Sequence, residues 1–139
     1  MDTIASSMKA LFPYAAETRG LVVRVSVNFL PEQSDPGRGR WFWAYHIRIE
    51  NEGDMAVQLL SRRWLIRDAR GAEHRVEGEG VVGDQPVLKP GGSYDYVSGC
   101  PLGTSSGSMA GSYQMIGEDG SRFDIAVPGF ALKAPVTTR

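Results

Sequence analysis

The segment "WFWAYHIRIEN", Trp41 to Asn51, places Trp41, Trp43, Tyr45, Ile47 and Ile49 at every second position, with His46, Arg48 and Glu50 between them. Successive side chains of a strand point to opposite faces, so this spacing gives one apolar and one polar face, whereas a helix would need apolar residues every three to four positions. The segment reads as a strand packed on a core by one side only.

Working outward, the same rhythm recurs. Upstream, beyond the turn-rich "PEQSDPGRGR", the run "LVVRVSVNF" sets Leu21, Val23, Val25, Val27 and Phe29 against Arg24, Ser26 and Asn28. Downstream, "NEGDM" turns the chain into "VQLLSRRWLIRD", where Trp64 and Ile66 share one face and Arg63, Leu65 and Arg67 the other. "ARGA", with Gly71 free to take a positive φ angle, closes a hairpin into "EHRVEG". Further strands are read at "GSYDYVSG", "SMAGSYQMIG" and "RFDIAVPGF", with Phe123, Ile125 and Val127 facing the core and the Asp-Gly turn "EDG" joining the last two.

Seven or eight short strands in 139 residues predict an all-β fold, an immunoglobulin- or fibronectin type III-like antiparallel β-sandwich, with a β-barrel as runner-up. One domain suffices, since a chain of this size buries roughly two-thirds of its unfolded surface. It is placed at residues 21–132, between an unassigned N-terminal segment at residues 1–20, in which "ASSMKALF" has the pattern of a short helical piece, and a C-terminal tail at residues 133–139.

Fifteen Lys and Arg against sixteen Asp and Glu leave a net charge of −1, which provides no basic field for nucleic acid or anionic lipid. The sequence has neither a signal-peptide pattern nor an apolar run long enough to span a bilayer. A single cysteine, Cys100, excludes an internal disulfide and fits a reducing compartment, so a cytoplasmic location is expected.

The chain also carries a chemical motif. In "EGEGVVGDQP", Gly78, Gly80 and Gly83 have the G-x-G-x-x-G spacing of a pyrophosphate-binding turn, and they are the candidate phosphate loop. That chemistry requires a following helix, whose N-terminal N–H groups hold the phosphates. Here Pro86, Pro90, Gly91 and Gly92 follow instead, and Glu77, Glu79 and Asp84 surround the glycines with negative charge. The favoured reading is a sandwich loop needing positive φ or close backbone approach, with a weak anion site on backbone N–H groups as the alternative.

Other chemistry is sparse. His46 and His74 lie on different strands, no Cys or His pair has zinc spacing, and Glu77, Glu79 and Asp84 read as solvated acids sooner than magnesium ligands. No segment around Ser61, Ser98, Thr104 or Cys100 forms a nucleophile motif, so neither catalytic residues nor a cofactor are assigned and an enzyme is not expected. The run Arg62, Arg63, Arg67, Arg70 and Arg75 reads as a salt-bridged face, with Asp68, Glu50 and Glu73 as partners, over an anion-binding patch.

Taken together, "QSDP" from Gln33, "YHIRIENEG", "VQLLSRRWLIRD", "GEGVVGDQPVLKPG", "YVSGCPLGTSSGSMAGSYQM" and "PGFAL" resemble the ApaG family, small proteins encoded in bacteria beside a diadenosine tetraphosphate hydrolase. The resemblance implies a fibronectin type III-like sandwich, a link to cobalt tolerance and magnesium efflux, and, from similar domains in eukaryotic F-box proteins and a polymerase-delta-interacting protein, a role in protein interaction. It maps the family's glycine motif onto Gly78, Gly80 and Gly83. The expected function is therefore a non-enzymatic module for an unidentified protein partner, contacting it through Gly78–Gln85 and Gly99–Gly107; the sequence does not fix an oligomeric state, although uncovered sheet edges would allow self-pairing. A sensor for a nucleotide or pyrophosphate, with or without Mg²⁺ or Co²⁺, is the alternative.

Overall fold

Strand β3 (Trp41–Asn51) forms the spine of the first sheet, and its Trp43, Tyr45, Ile47 and Ile49 are all buried. Burying each such side chain contributes roughly 1.5–3 kcal/mol, so a one-residue slip, which would turn the whole row to water, is strongly disfavoured. In this computed structural model, which describes residue 8 and residues 11–135, β3 lies between β2 (Leu21–Phe29) and β7 (Ser93–Leu102), with β1 (Tyr14–Thr18) outside β2. All pairings are antiparallel.

The second sheet runs β5-β4-β8-β9, from β4 (Val57–Asp68), β5 (Glu73–Glu79), β8 (Ser106–Gly117) and β9 (Arg122–Lys133). The two-residue strand β6 (Val87–Leu88) pairs with the start of β4, on the side that β5 occupies further along. The two sheets pack face to face. Tyr45 of the first meets Trp64 and Phe130 of the second at ring-centroid distances of 5.6 and 5.9 Å, and the Trp43 indole N–H donates to the Lys133 carbonyl at 3.1 Å.

This is the all-β sandwich that the alternating pattern predicts, with β1 and β6 added. β1 escaped notice because its five residues alternate in exposure without strong apolar character, and β6 because it is too short to show a period. Met8 and Leu11 are helical, inside the piece expected from "ASSMKALF". The adjoining Phe12 donates its N–H to the Met8 carbonyl and is 6% exposed, its ring edge-on to His46 on the outer face of the first sheet.

One irregularity positions the candidate site. The β4–β8 register shifts between Leu59 and Ser61, a β-bulge at Leu60. Leu59 and Trp64 both face the core although five positions separate them, which strict alternation forbids. The bulge takes up the extra residue and directs Arg62, together with Trp64 and Ile66, toward the sheet interface, while Arg63 and Arg67 stay exposed.

Candidate functional site

The three motif glycines sit where the chain leaves β5, reverses, and returns to β4 as β6. Gly78 is still in the ladder, opposite Arg62. Val81 and Asp84 then exchange N–H···O bonds, each 2.8 Å, around Val82 and Gly83, whose φ angles are 43° and 85°. Two positive φ angles mark the turn hand that matches strand twist, and Gly83 fits it at no cost. Val82 does not, because a β-branched side chain in the left-handed region is strained.

Each glycine has its own reason. Gly80 has φ 64°, and a Cβ there would run into the Asp84 carbonyl oxygen. Gly78 leaves room for Arg62, whose guanidinium nitrogens lie 2.9 Å from where a Cβ would stand. Arg62 Nη1 donates to the carbonyls of Glu79 and Gly80 at 3.0 and 2.9 Å, clamping the chain as it leaves the strand. These are charge-assisted bonds, stronger than neutral ones.

Further bonds fix the turn. The Gly80 N–H and the Gln85 side-chain amide both donate to the Leu60 carbonyl at 2.8 Å, so the bulge residue anchors the turn as well. Gln58 donates to the Gln85 carbonyl at 3.1 Å, and the Tyr94 hydroxyl donates to Asp84 Oδ2 at 2.8 Å, tying the turn to the first sheet. Burial first, and then the bond to and charge of Asp84, push the Tyr94 hydroxyl above its ordinary pKa. The chain that follows is the extended β6, so a helix dipole does not point at the motif. The Gly80 and Val81 N–H groups already serve protein carbonyls, and Val82 is left 57% exposed at the tip.

Beneath this turn lies a cluster of phenols. The Tyr96 and Tyr113 hydroxyls hydrogen-bond each other, both rings are buried, and burial pushes both hydroxyls above the usual tyrosine range. Burial also pushes Cys100, 2% exposed, up to about 11, which keeps its thiol protonated and unreactive at neutral pH.

The remaining sequence candidates are dispersed. His46 bonds Asp95 at 2.9 Å in an outer-face network that includes Arg48, Glu50 and Arg24, and His74 is exposed on β5. Arg63 meets Glu77 at 3.4 Å and Arg67 bonds Glu73, while Asp68 caps the "ARGA" turn through the N–H groups of Arg70 and Ala72. Among the described residues, no group of three His, Cys, Asp or Glu is arranged to hold a metal ion. The expected contact loop Gly99–Gly107 is mostly strand: Gly99–Leu102 ends β7 and Ser106–Gly107 begins β8. Gly99 serves packing there, because the Phe42 ring occupies the place of its side chain.

Sequence reasoning grouped Arg62 with four surface arginines and so missed its inward role. The signal was available in the odd spacing from Leu59 to Trp64, since two core residues five apart on one strand require a bulge between them.

A family model described as the ApaG domain matches residues 31–117, a span that includes the bulge, the glycine turn and the paired tyrosines. The chain belongs to the ApaG family. Protein ApaG of Bradyrhizobium sp. strain BTAi1 is 55% identical over 122 residues, covering 88% of this chain and 93% of that protein. Protein ApaG of Brucella suis biovar 1 is 52% identical over 126 residues, covering 91% and 97%. A Bordetella pertussis crystal structure, described as an ApaA protein, superposes with a TM-score of 0.81 at 44% identity, covering 84% of this chain and 95% of that one. Among the described residues, no helix of this ApaG chain is long and apolar enough to cross a membrane.

Proposed function

We propose that this chain is a non-enzymatic protein-binding module that meets its partner with the Val82 tip of the glycine turn. The observation that carries this reading is the backbone of Val82, an exposed β-branched residue held at φ 43°. Such strain costs about 1–2 kcal/mol and persists only where the surroundings enforce it, as Arg62, Gln85 and Tyr94 do here. A side chain fixed in advance loses little freedom on binding, and a rigid apolar tip is therefore suited to fill a pocket on another protein. The family's association with cobalt tolerance and magnesium efflux then runs through that partner, in the cytoplasm that a single buried thiol fits.

The test places a photoreactive side chain at position 82 in the full protein and cross-links it in lysate of the source cell. One dominant adduct is expected, suppressed by excess unlabelled protein and not by the Val82→Asn variant, which keeps the turn because asparagine tolerates positive φ. Competition by Val82→Asn as strong as by the wild type would defeat the reading. Calorimetry with diadenosine tetraphosphate, ATP and pyrophosphate, each with Mg²⁺ and Co²⁺, tests the rival ligand reading. Saturable heat that is lost in a turn variant would favour a small-molecule sensor instead.

A further inference from the structure

A sandwich of two open sheets has four edge strands, and an edge with unpaired N–H and C=O groups is a template for another strand unless something guards it. Three of the four are guarded, and β6, which continues the β5 side of its sheet, is only two residues long. β5 carries Glu73, Arg75, Glu77 and Glu79 along its seven residues. β1 and β9 lie beside each other, with the Ala126 N–H donating to Thr18 Oγ1 at 3.1 Å, and Pro128 interrupts β9.

β7 is different. Across the ten residues "SYDYVSGCPL" its one charged side chain is Asp95, whose carboxylate is engaged by His46 at 2.9 Å and Arg48 at 2.8 Å. The direction of its backbone groups follows from β3. Phe42 accepts from Leu30 on the β2 side, and Asn51 donates to Gly92 on the β7 side, so the odd residues of β3 bond β7. Their partners are the even residues of β7. The backbone groups of Ser93, Asp95, Val97, Gly99 and Pro101 therefore point away from the sheet, and Pro101 stands where its missing N–H breaks no ladder bond. Val97, at the middle of this row, is 60% exposed.

We infer that the β7 edge pairs with the β7 edge of a second copy of this chain, antiparallel about a two-fold axis at Val97. This register sets Val97 opposite Val97, Asp95 opposite Gly99 and Ser93 opposite Pro101, all with outward-facing backbone groups. It places no like charges opposite each other, and at each end the Ser93 N–H meets the Pro101 carbonyl while the Ser93 carbonyl, facing a proline nitrogen, stays with water, so the pairing ends there. An axis at Asp95 would instead oppose two carboxylates, which destabilises a strand pair. The same edge on both partners makes a closed, isologous contact that ends at two copies. The inference rests on β7 alone and stands apart from the Val82 reading.

The contact is small, so a weak, reversible dimer is expected. Sedimentation velocity of the full chain from about 1 µM to about 1 mM should show a reversible monomer–dimer shift. Val97→Asp should raise the dissociation constant at least about tenfold, because it places two carboxylates at the axis, and circular dichroism should report an unchanged fold. Val97→Cys should oxidise to a disulfide-linked dimer, since opposed strand positions lie within disulfide reach. A single monomeric species at every concentration would overturn the inference. So would a dimer that Val97→Asp leaves intact, or a failure of Val97→Cys to cross-link at concentrations where the dimer is populated.

Discussion

Replacing Gly80 by alanine tests whether the glycine motif is an internal construction of the fold. The left-handed backbone at φ 64° costs an alanine about 1 kcal/mol relative to glycine. The larger effect is steric: the new Cβ runs into the Asp84 carbonyl oxygen, which is backbone and cannot rotate away. The turn must open, which breaks the two 2.8 Å bonds between Val81 and Asp84, each contributing about 1 kcal/mol. A total near 3 kcal/mol follows, or a melting-temperature drop of about 10 °C for a domain of this size. Gly83→Ala is the internal control: φ is 85°, but no atom lies within 4 Å of its would-be Cβ, so only the backbone cost of about 1 kcal/mol applies. Urea unfolding followed by the fluorescence of the buried Trp43 and Trp64 measures both variants, with unchanged m-values showing that only the midpoint has moved. If Gly80→Ala proves no more harmful than Gly83→Ala, the close approach of Gly80 to Asp84 is not what the motif serves, and the structural account of these glycines fails.

Three further outcomes are expected. Tyr96→Phe or Tyr113→Phe alone leaves a buried hydroxyl without its partner and should cost about 1–2 kcal/mol, while the double variant should cost no more than either single one; a double-mutant cycle by urea titration measures this coupling. Cys100 is an acid whose folded pKa is raised from 9.0 to about 11, so its contribution is complete below pH 9 and is lost as pH rises through 11. Urea midpoints should therefore fall between pH 9 and pH 10.5, less so in Cys100→Ala, and the native thiol should resist Ellman's reagent at pH 8 until denaturant is added. Asn51, 2% exposed, donates to the Met55 and Leu88 carbonyls and accepts from the Gly53 N–H, so Asn51→Ala should lower stability by about 3 kcal/mol in the same titration.

The fold was legible because its information is local. Period-two alternation in Trp41–Asn51, Leu21–Phe29 and Arg122–Phe130 states which side of each strand is apolar, and apolar faces on separate strands can be buried together only by packing sheets. The same reading found the absence of a helix after the glycines, because proline and glycine act on their own backbone. Ladder order, the short strands β1 and β6, and the bulge at Leu60 were harder, since each is set by what lies alongside the strand.

The glycine turn divides the two kinds of information most clearly. Its sequence alone determined that the chain must turn there in a backbone that favours glycine, amid negative charge, without a helix behind it. Only the tertiary structure decided that Gly78 is empty for Arg62, that Gly80 yields to Asp84, and that Val82 is held in a strained, exposed position. The Gly78 and Val82 assignments depend on atoms brought together from β4, β5 and β7, whose separation along the chain carries no periodic signal, and the Gly80 contact depends on the closed geometry of the turn they hold. The choice of which edge strand stays unguarded is of the same kind, because an edge exists only once the strand order is fixed.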